Sequence, residues 1–298
     1  MKAQYDKAQA FLANLADKSP ELPFEPRLLP ELFAASSEGY TKDVSAISTL
    51  VERSQGLAAR ILRLANSAYY GMPTEVSSLS HAIRLLGLNE LRNIIVQLGV
   101  SSAMSKVPMP KDFQFEKLWE HQLFTANIAR GITLGMPLPT NCISPDDIYV
   151  AGLLHDMGKT MLAAHCPEDW AAINAVALNE SIPFNQAEEH YWGIDHAVIG
   201  ARMLNFWGIP DKLSELVNWH HQPHYIHTDY LAPARVLSAA NLLAHNLDAA
   251  GSAHTMSMPE AVTSSLLTEI DPQRLQANIA DNCDVARMRS MAKITLEE

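Results

Sequence analysis

The chain has 298 residues, with 22 Lys and Arg against 33 Asp and Glu, a net charge of −11, and 48% hydrophobic residues. That apolar content excludes a chain disordered throughout. No apolar run reaches the roughly 18 residues of a transmembrane helix, so no membrane association is expected. The opening MKAQYDKAQAFLANLADK mixes charges into its apolar positions and lacks the h-region of a signal peptide. The cysteines, Cys142, Cys166 and Cys283, are odd in number and far apart, which fits a reducing cytoplasm and no disulfide framework.

Residues 1–110 carry 11 basic and 10 acidic side chains; residues 111–298 carry 11 and 23. The acidic second part repels a phosphate backbone, so nucleic acid is not an expected partner. Histidine is just as uneven. Of 12 histidines only His81 precedes residue 111.

Nearly every segment reads as helix, punctuated by Pro and Gly, and no run alternates like a strand. An all-α fold is therefore expected. A helix opens the chain over 1–19, and a first helical unit covers 20–110. Within it Leu57, Ile61, Leu64, Ala65 and Ala68 form one apolar stripe, on a helix expected to end near Tyr69-Tyr70-Gly71 before Pro73. In SSLSHAIRLLG the serines cap a helix and Gly87 closes it. Leu91, Ile94, Ile95 and Leu98 share one side of the next helix, and Pro108 and Pro110 mark a joint. A second unit covers 111–248. Over 249–298 a loop, GSAHTMSMPE, precedes one or two small helices.

The strongest local signal is SPDDIYVAGLLHDMGK. Ser144 caps a helix, Pro145 suits its first turn, and Asp146 and Asp147 complement the helix dipole. Read as one continuous helix, Ile148, Ala151, Gly152, His155, Asp156 and Lys159 share a face, while Val150, Leu153, Leu154 and Met157 make the other face apolar too. Such a helix is buried on most sides, and a buried carboxylate must find partners. His121 points inward on its own amphipathic helix. His196 follows Asp195, a candidate cap. His220 and His221 fall at +7 and +8 from Leu213, and Asn241 shares a stripe with Leu237, Ser238 and His245.

Five segments thus send His, Asp or Asn toward a core. A single inward His, such as His121, is more often a hydrogen-bonded core residue than a ligand. A carboxylate ringed by neutral imidazoles is instead the donor set of a divalent transition ion, with Fe, Mn, Zn or Ni favoured over Ca. The two oxygens of Asp156 suffice to bridge a pair of ions, which together activate a water and stabilise a leaving phosphate oxygen. His81, His165, His190, His224, His227, His245 and His254 are read as non-ligands.

The tandem His155-Asp156, with one histidine before it and more after it, resembles the HD superfamily of metal-dependent phosphohydrolases. Five blocks narrow the likeness: GLAARILRLANSAYYG, VSSLSHAIRLLGLNELRNIIV, AGLLHDMGK, GIDHAVIGARMLNFWGIP and NWHHQP. In this order, over about residues 20 to 245, they look like the HDOD domain, the HD-related output domain of bacterial signalling proteins. The resemblance implies an N-terminal helical subdomain packed on an HD-type helical core. It also implies one metal held by His121, His155, Asp156 and Asn241, and a second held by His196, His220 and His221 with Asp156 bridging. Asp156 and Lys159 take the catalytic positions, Lys159 matching a lysine near the phosphate in the HD-GYP branch. Two departures stand out. Asn241 replaces the late Asp of the HD pattern, removing one negative charge from the first metal. HHQPHYIHTDY lacks the HHE…GYP segment, against cyclic-di-GMP hydrolysis.

Two classes of function follow. One is a regulatory module working through contacts with other signalling proteins, with Asn66, Ser67, Tyr69 and Tyr70 as either a capping network or a docking surface. Its degenerate HD site would sense a metal or a nucleotide without turnover. The other is a metal-dependent phosphohydrolase acting on a nucleotide or another phosphate ester, the metal serving as Lewis acid and source of activated water.

Overall fold

The computed structural model describes residues 2–35, 44–54, 56–67, 70–72, 75–135, 143–250, 258–267 and 271–296. Seventeen α-helices are described and no strand, in keeping with the all-α expectation. The N-terminal helices are α1 (Lys2–Ala13), α2 (Leu15–Lys18), α3 (Leu28–Ala35), α4 (Val44–Arg53), α5 (Leu57–Ala65), α6 (Leu79–Leu86) and α7 (Leu88–Ser105). The middle of the chain forms α8 (Phe115–Gly135), α9 (Pro145–Leu154), α10 (Met157–His165), α11 (Pro167–Glu180), α12 (Phe184–Trp192), α13 (His196–Phe206), α14 (Asp211–Asn218) and α15 (Leu231–Ala250). Two more, α16 (Pro272–Asn282) and α17 (Val285–Leu296), follow.

The punctuation works as its chemistry dictates. The Ser78 hydroxyl accepts from the His81 amide at the start of α6. Gly87, at φ +81°, closes α6 and lets α7 start at once, a backbone state that L side chains rarely adopt. Ser144 and Asp147 form a reciprocal capping box at α9, with Pro145 in the first turn. The Asp195 carboxylate accepts from the amides of Ala197 and Val198 and starts α13.

One helix boundary differs from the sequence reading. The helix carrying Leu57, Ile61, Leu64 and Ala65, all buried, ends at Ala65 instead of near Tyr69-Tyr70-Gly71. Asn66 stops it. Its amide donates to Leu62 O and Val76 O, and its oxygen accepts from Val76 N at 2.7 Å, so the side chain stitches the helix end to the following loop. Tyr70 donates to Glu90 at 2.7 Å. Asn66 is therefore a capping residue; Ala68 and Tyr69 lie outside the described residues, as do Cys142 and most of the 251–260 loop.

A single apolar core runs from Ala8 in α1 to Ala292 in α17. At its centre α8 packs against α9, α15, α16 and α17. A layer of α10, α13 and α14 lies beside it, and α14 also meets α9. The N-terminal helices group around α7, which is buried on nearly every side, while α1 reaches across to α12 and α2 to α13. Thr295 near the end of α17 ties three elements together. Its carbonyl accepts from Arg60 and Ser101, and its hydroxyl accepts from the buried Trp119 indole.

Close backbone approach sets the site. A Cβ on Gly158 in α10 would fall against the His196 carbonyl and the Gly200 amide of α13. Backbone cannot swing aside as a flexible side chain can. Gly158→Ala should therefore cost about 1–3 kcal/mol, as overpacking does. Urea denaturation measures it, and a midpoint equal to that of the parent would refute the close α10–α13 packing.

Candidate metal centre

The HD pair does not continue a helix. α9 ends at Leu154, His155 and Asp156 form a turn, and α10 starts at Met157, which corrects the continuous helix expected from the sequence. The reason is local. His155 Nδ1 takes the Gly152 carbonyl at 2.8 Å, the acceptor that the Asp156 amide uses in an uninterrupted helix. Asp156 then adopts φ −99°, ψ 7°. His220 and His221 likewise lie beyond α14, which ends at Asn218, and not on it. His220 Nδ1 takes the Val217 carbonyl at 2.7 Å, the same contact made three residues back.

These two contacts fix tautomers. A ring nitrogen facing a carbonyl must carry the proton, so Nε2 of each neutral ring presents a lone pair. Both Nε2 atoms face Asp156 Oδ1, at 3.4 Å from His155 and 3.8 Å from His220. His155 Nε2, His220 Nε2 and Asp156 Oδ1 are buried without a hydrogen-bond partner. Lone pairs aimed at a carboxylate repel it unless a cation lies between them. That is the donor arrangement a divalent transition ion requires, and the residues fit one.

The remaining expected residues converge on the same point. Asp156 lies with His196, His220 and His221 in one cluster of potential ligands, and with His121 and His155 in another; within each, the donor atoms lie within 4.8 Å of one another. Asp156 belongs to both, the geometry of a bridging carboxylate. His196 Nε2 is 2.9 Å from Asp156 Oδ1 and aligned with His221 Nε2 at 3.0 Å. His121 Nε2 is 3.7 Å from Asp156 Oδ2 and 3.0 Å from Asn241 Oδ1, so Asn241 stands where the late ligand is expected. Lys159 donates to Asp156 Oδ2 at 2.6 Å.

The electrostatics follow from burial and neighbours. Burial pushes His155 down to about 4, and drives His121, His220 and His221 well below the ordinary histidine value, so these four rings are neutral at pH 7. Burial opposes charge on Asp156 as well, but His155, Lys159 and His196 outweigh it and keep it ionised. His196 is the exception among the rings. Burial again works against its charge, yet Glu188 and Asp156 together raise it to about 9.

Glu188 is the residue the sequence reading missed. Its Oε2 accepts from both His196 Nδ1 and the His196 backbone amide, while Glu188 itself is buried in α12. A carboxylate behind a histidine sets which nitrogen faces the site and raises its basicity. The sequence does hold a signal: Glu188 falls at i+4 from Phe184 and i−4 from Trp192, an acid on an otherwise aromatic stripe. His245, read as a non-ligand, stays outside both ligand clusters but stacks on His121 with ring centroids 4.2 Å apart.

A cleft of about 720 Å³ opens over the cluster. His196, His220, His221 and Asn241 form its floor with Lys159, and His224, Arg235, Ser238 and His245 lie among its walls. It is a path from solvent to the buried donors.

Because Glu188 supports the charge on His196, Glu188→Gln should lower the His196 pKa from about 9 toward the ordinary value. NMR titration of the ring protons in metal-free protein reads this directly. An unchanged titration would show that Glu188 does not govern the ring.

Among the described residues, no helix is long and apolar enough to cross a membrane. A curated protein of Treponema pallidum (strain Nichols), named there only as an uncharacterized protein, is 25% identical over 236 residues. The match takes in 79% of this chain and 44% of that protein, so the chain spans less than half of this relative. Among solved structures, a Shewanella amazonensis SB2B protein bearing the name "Putative phosphohydrolase" aligns with a TM-score of 0.71 at 25% identity, covering 97% of this chain and 98% of the other. An HDOD domain protein of Geobacter sulfurreducens has the same fold, with a TM-score of 0.74, 22% identity and 98% coverage of both chains. The HDOD domain model matches residues 22–223, most of the chain and nearly all of the histidine site, and the chain belongs to the HDOD family.

Proposed function

We propose that this chain is a regulatory HDOD module whose HD-type centre binds one or two divalent transition ions, Fe, Mn, Zn or Ni, and through them a phosphate-bearing ligand. The carrying observation is the set of buried, partnerless donors, His155 Nε2, His220 Nε2 and Asp156 Oδ1, around one point. His121, His155, Asp156 and Asn241 would hold the first ion; Asp156, His196, His220 and His221 would hold the second. Asn241 offers a neutral oxygen, so the first ion binds with one ligand charge fewer than a second carboxylate would give.

An output route to other signalling proteins is supported by the far end of α9. There Asp147 pairs with the buried Arg92 of α7 at 3.0 Å and with Lys212 at 2.6 Å, while Asp146 takes Asn89 and Arg130. The helix that carries the HD pair at its C-terminus is thus anchored to the N-terminal helices at its start. A ligand that prefers one placement of this helix shifts the relation between the two parts.

Turnover of a phosphate ester is a second reading, favoured by Lys159 and the open cleft. A bound ion supplies Lewis acidity and an activated water. Lys159 sits against Asp156 and lines the cleft, placed to neutralise phosphate charge there.

Elemental analysis of untagged protein loaded with Mn²⁺ tests the centre. Up to two ions per chain are expected. Asp156→Asn should lose both, because the bridging carboxylate serves each, whereas His121→Ala should lose only one. Equal losses in the two variants would contradict the shared carboxylate, and no uptake by the parent would end the metal reading. For turnover, phosphate release from p-nitrophenyl phosphate with Mn²⁺ should fall about 100-fold or more in Lys159→Ala, in the range of losing one transition-state charge contact. No release by the parent chain from any phosphate ester tried would leave the site as a sensor.

A further inference from the structure

The cleft above the histidine cluster runs against the charge of the protein. The chain carries a net −11, yet among the described residues lining this cleft there is no Asp or Glu, while Lys159 and Arg235 both stand in it. Asp156 lies behind the floor, fully buried and covered by Lys159. Arg235 is half-buried, and no carboxylate among the described residues lies within ion-pair distance of it. A guanidinium held out of bulk water without a counter-charge is unfavourable unless an anion comes to it.

The helix gives the spacing. Arg235, Ser238, Asn241 and His245 all line the cleft from one face of α15, at helical intervals. Asn241 contacts His121 in the ligand cluster. Arg235 precedes it by six residues, a rise of about 9 Å along the axis. One cation, Lys159, therefore sits against the Asp156 carboxylate, and a second is displaced along α15, farther from it. The guanidinium fork matches a phosphate oxygen pair in a way an ammonium does not.

We infer that the cleft selects a ligand with two separated anionic groups, a polyphosphate or bisphosphate ester and not a monophosphate. One phosphate takes the Asp156 end of the cleft, and Arg235 takes the other anionic group. The inference rests on the reading that this cleft accepts a phosphate-bearing ligand at all.

Equilibrium binding of adenosine monophosphate and adenosine triphosphate to the intact chain separates the two. Mn²⁺ is kept in excess over nucleotide so that the triphosphate does not strip the site. The triphosphate should bind about tenfold more tightly than the monophosphate, the size of one charge-assisted contact. Arg235→Ala should remove most of that advantage while leaving monophosphate affinity within about twofold, which also shows that the variant is folded. Arg235→Lys should retain part of it. If Arg235→Ala keeps the full triphosphate advantage, or weakens both nucleotides alike, Arg235 does not read a second anion and the inference falls while the phosphate site stands. If the parent chain binds neither nucleotide, the phosphate-site reading fails, and this inference fails with it.

Discussion

The site is built around one carboxylate with no access to water. Asp156 is fully buried, and an ion in that position is tolerated only when its surroundings return what hydration gave. Lys159 and the imidazolium of His196 do so here, at 2.6 and 2.9 Å. Each comes from a different helix, α10 and α13, and those helices touch so closely at Gly158 that a methyl group has no room. The need to compensate one charge thus dictates how several helices meet.

The neutral histidines answer a different constraint. His155 and His220 both stand at helix ends, and both satisfy the carbonyl three residues back with Nδ1. Helix ends leave carbonyls without partners, and an imidazole N–H is a good donor for one. The same bond fixes the tautomer, so two ends of secondary structure become two lone pairs directed at Asp156. Capping and ligand orientation are a single interaction. His196 is oriented by another means, the carboxylate of Glu188, and so keeps a proton that the other rings have lost. An arriving ion must displace that proton.

The long reach of this arrangement comes from α9. At its start lies a capping box whose acids are engaged by Arg92, Arg130 and Lys212; at its end lies the HD turn. A rigid, wholly buried helix between a charge cluster and a ligand site is suited to coupling the two.

The sequence by itself determined the helical class, the caps at Ser78, Ser144 and Asp195, the buried stripe of Leu57, Ile61 and Leu64, and the set His121, His155, Asp156, His196, His220, His221 and Asn241. These rest on periodicity, on residue chemistry confined to one turn of chain and on blocks of family resemblance, all local in the sequence. It did not give the break between α9 and α10, the position of His220 and His221 past the end of α14, or the early stop at Asn66. Each of those depends on a side chain competing with the backbone for one hydrogen bond, which residue type alone does not decide. Glu188 behind His196 and Arg235 beside the cleft were decided by tertiary structure alone. Their roles depend on which surfaces face each other once α12, α13 and α15 have packed, and on where water has been excluded.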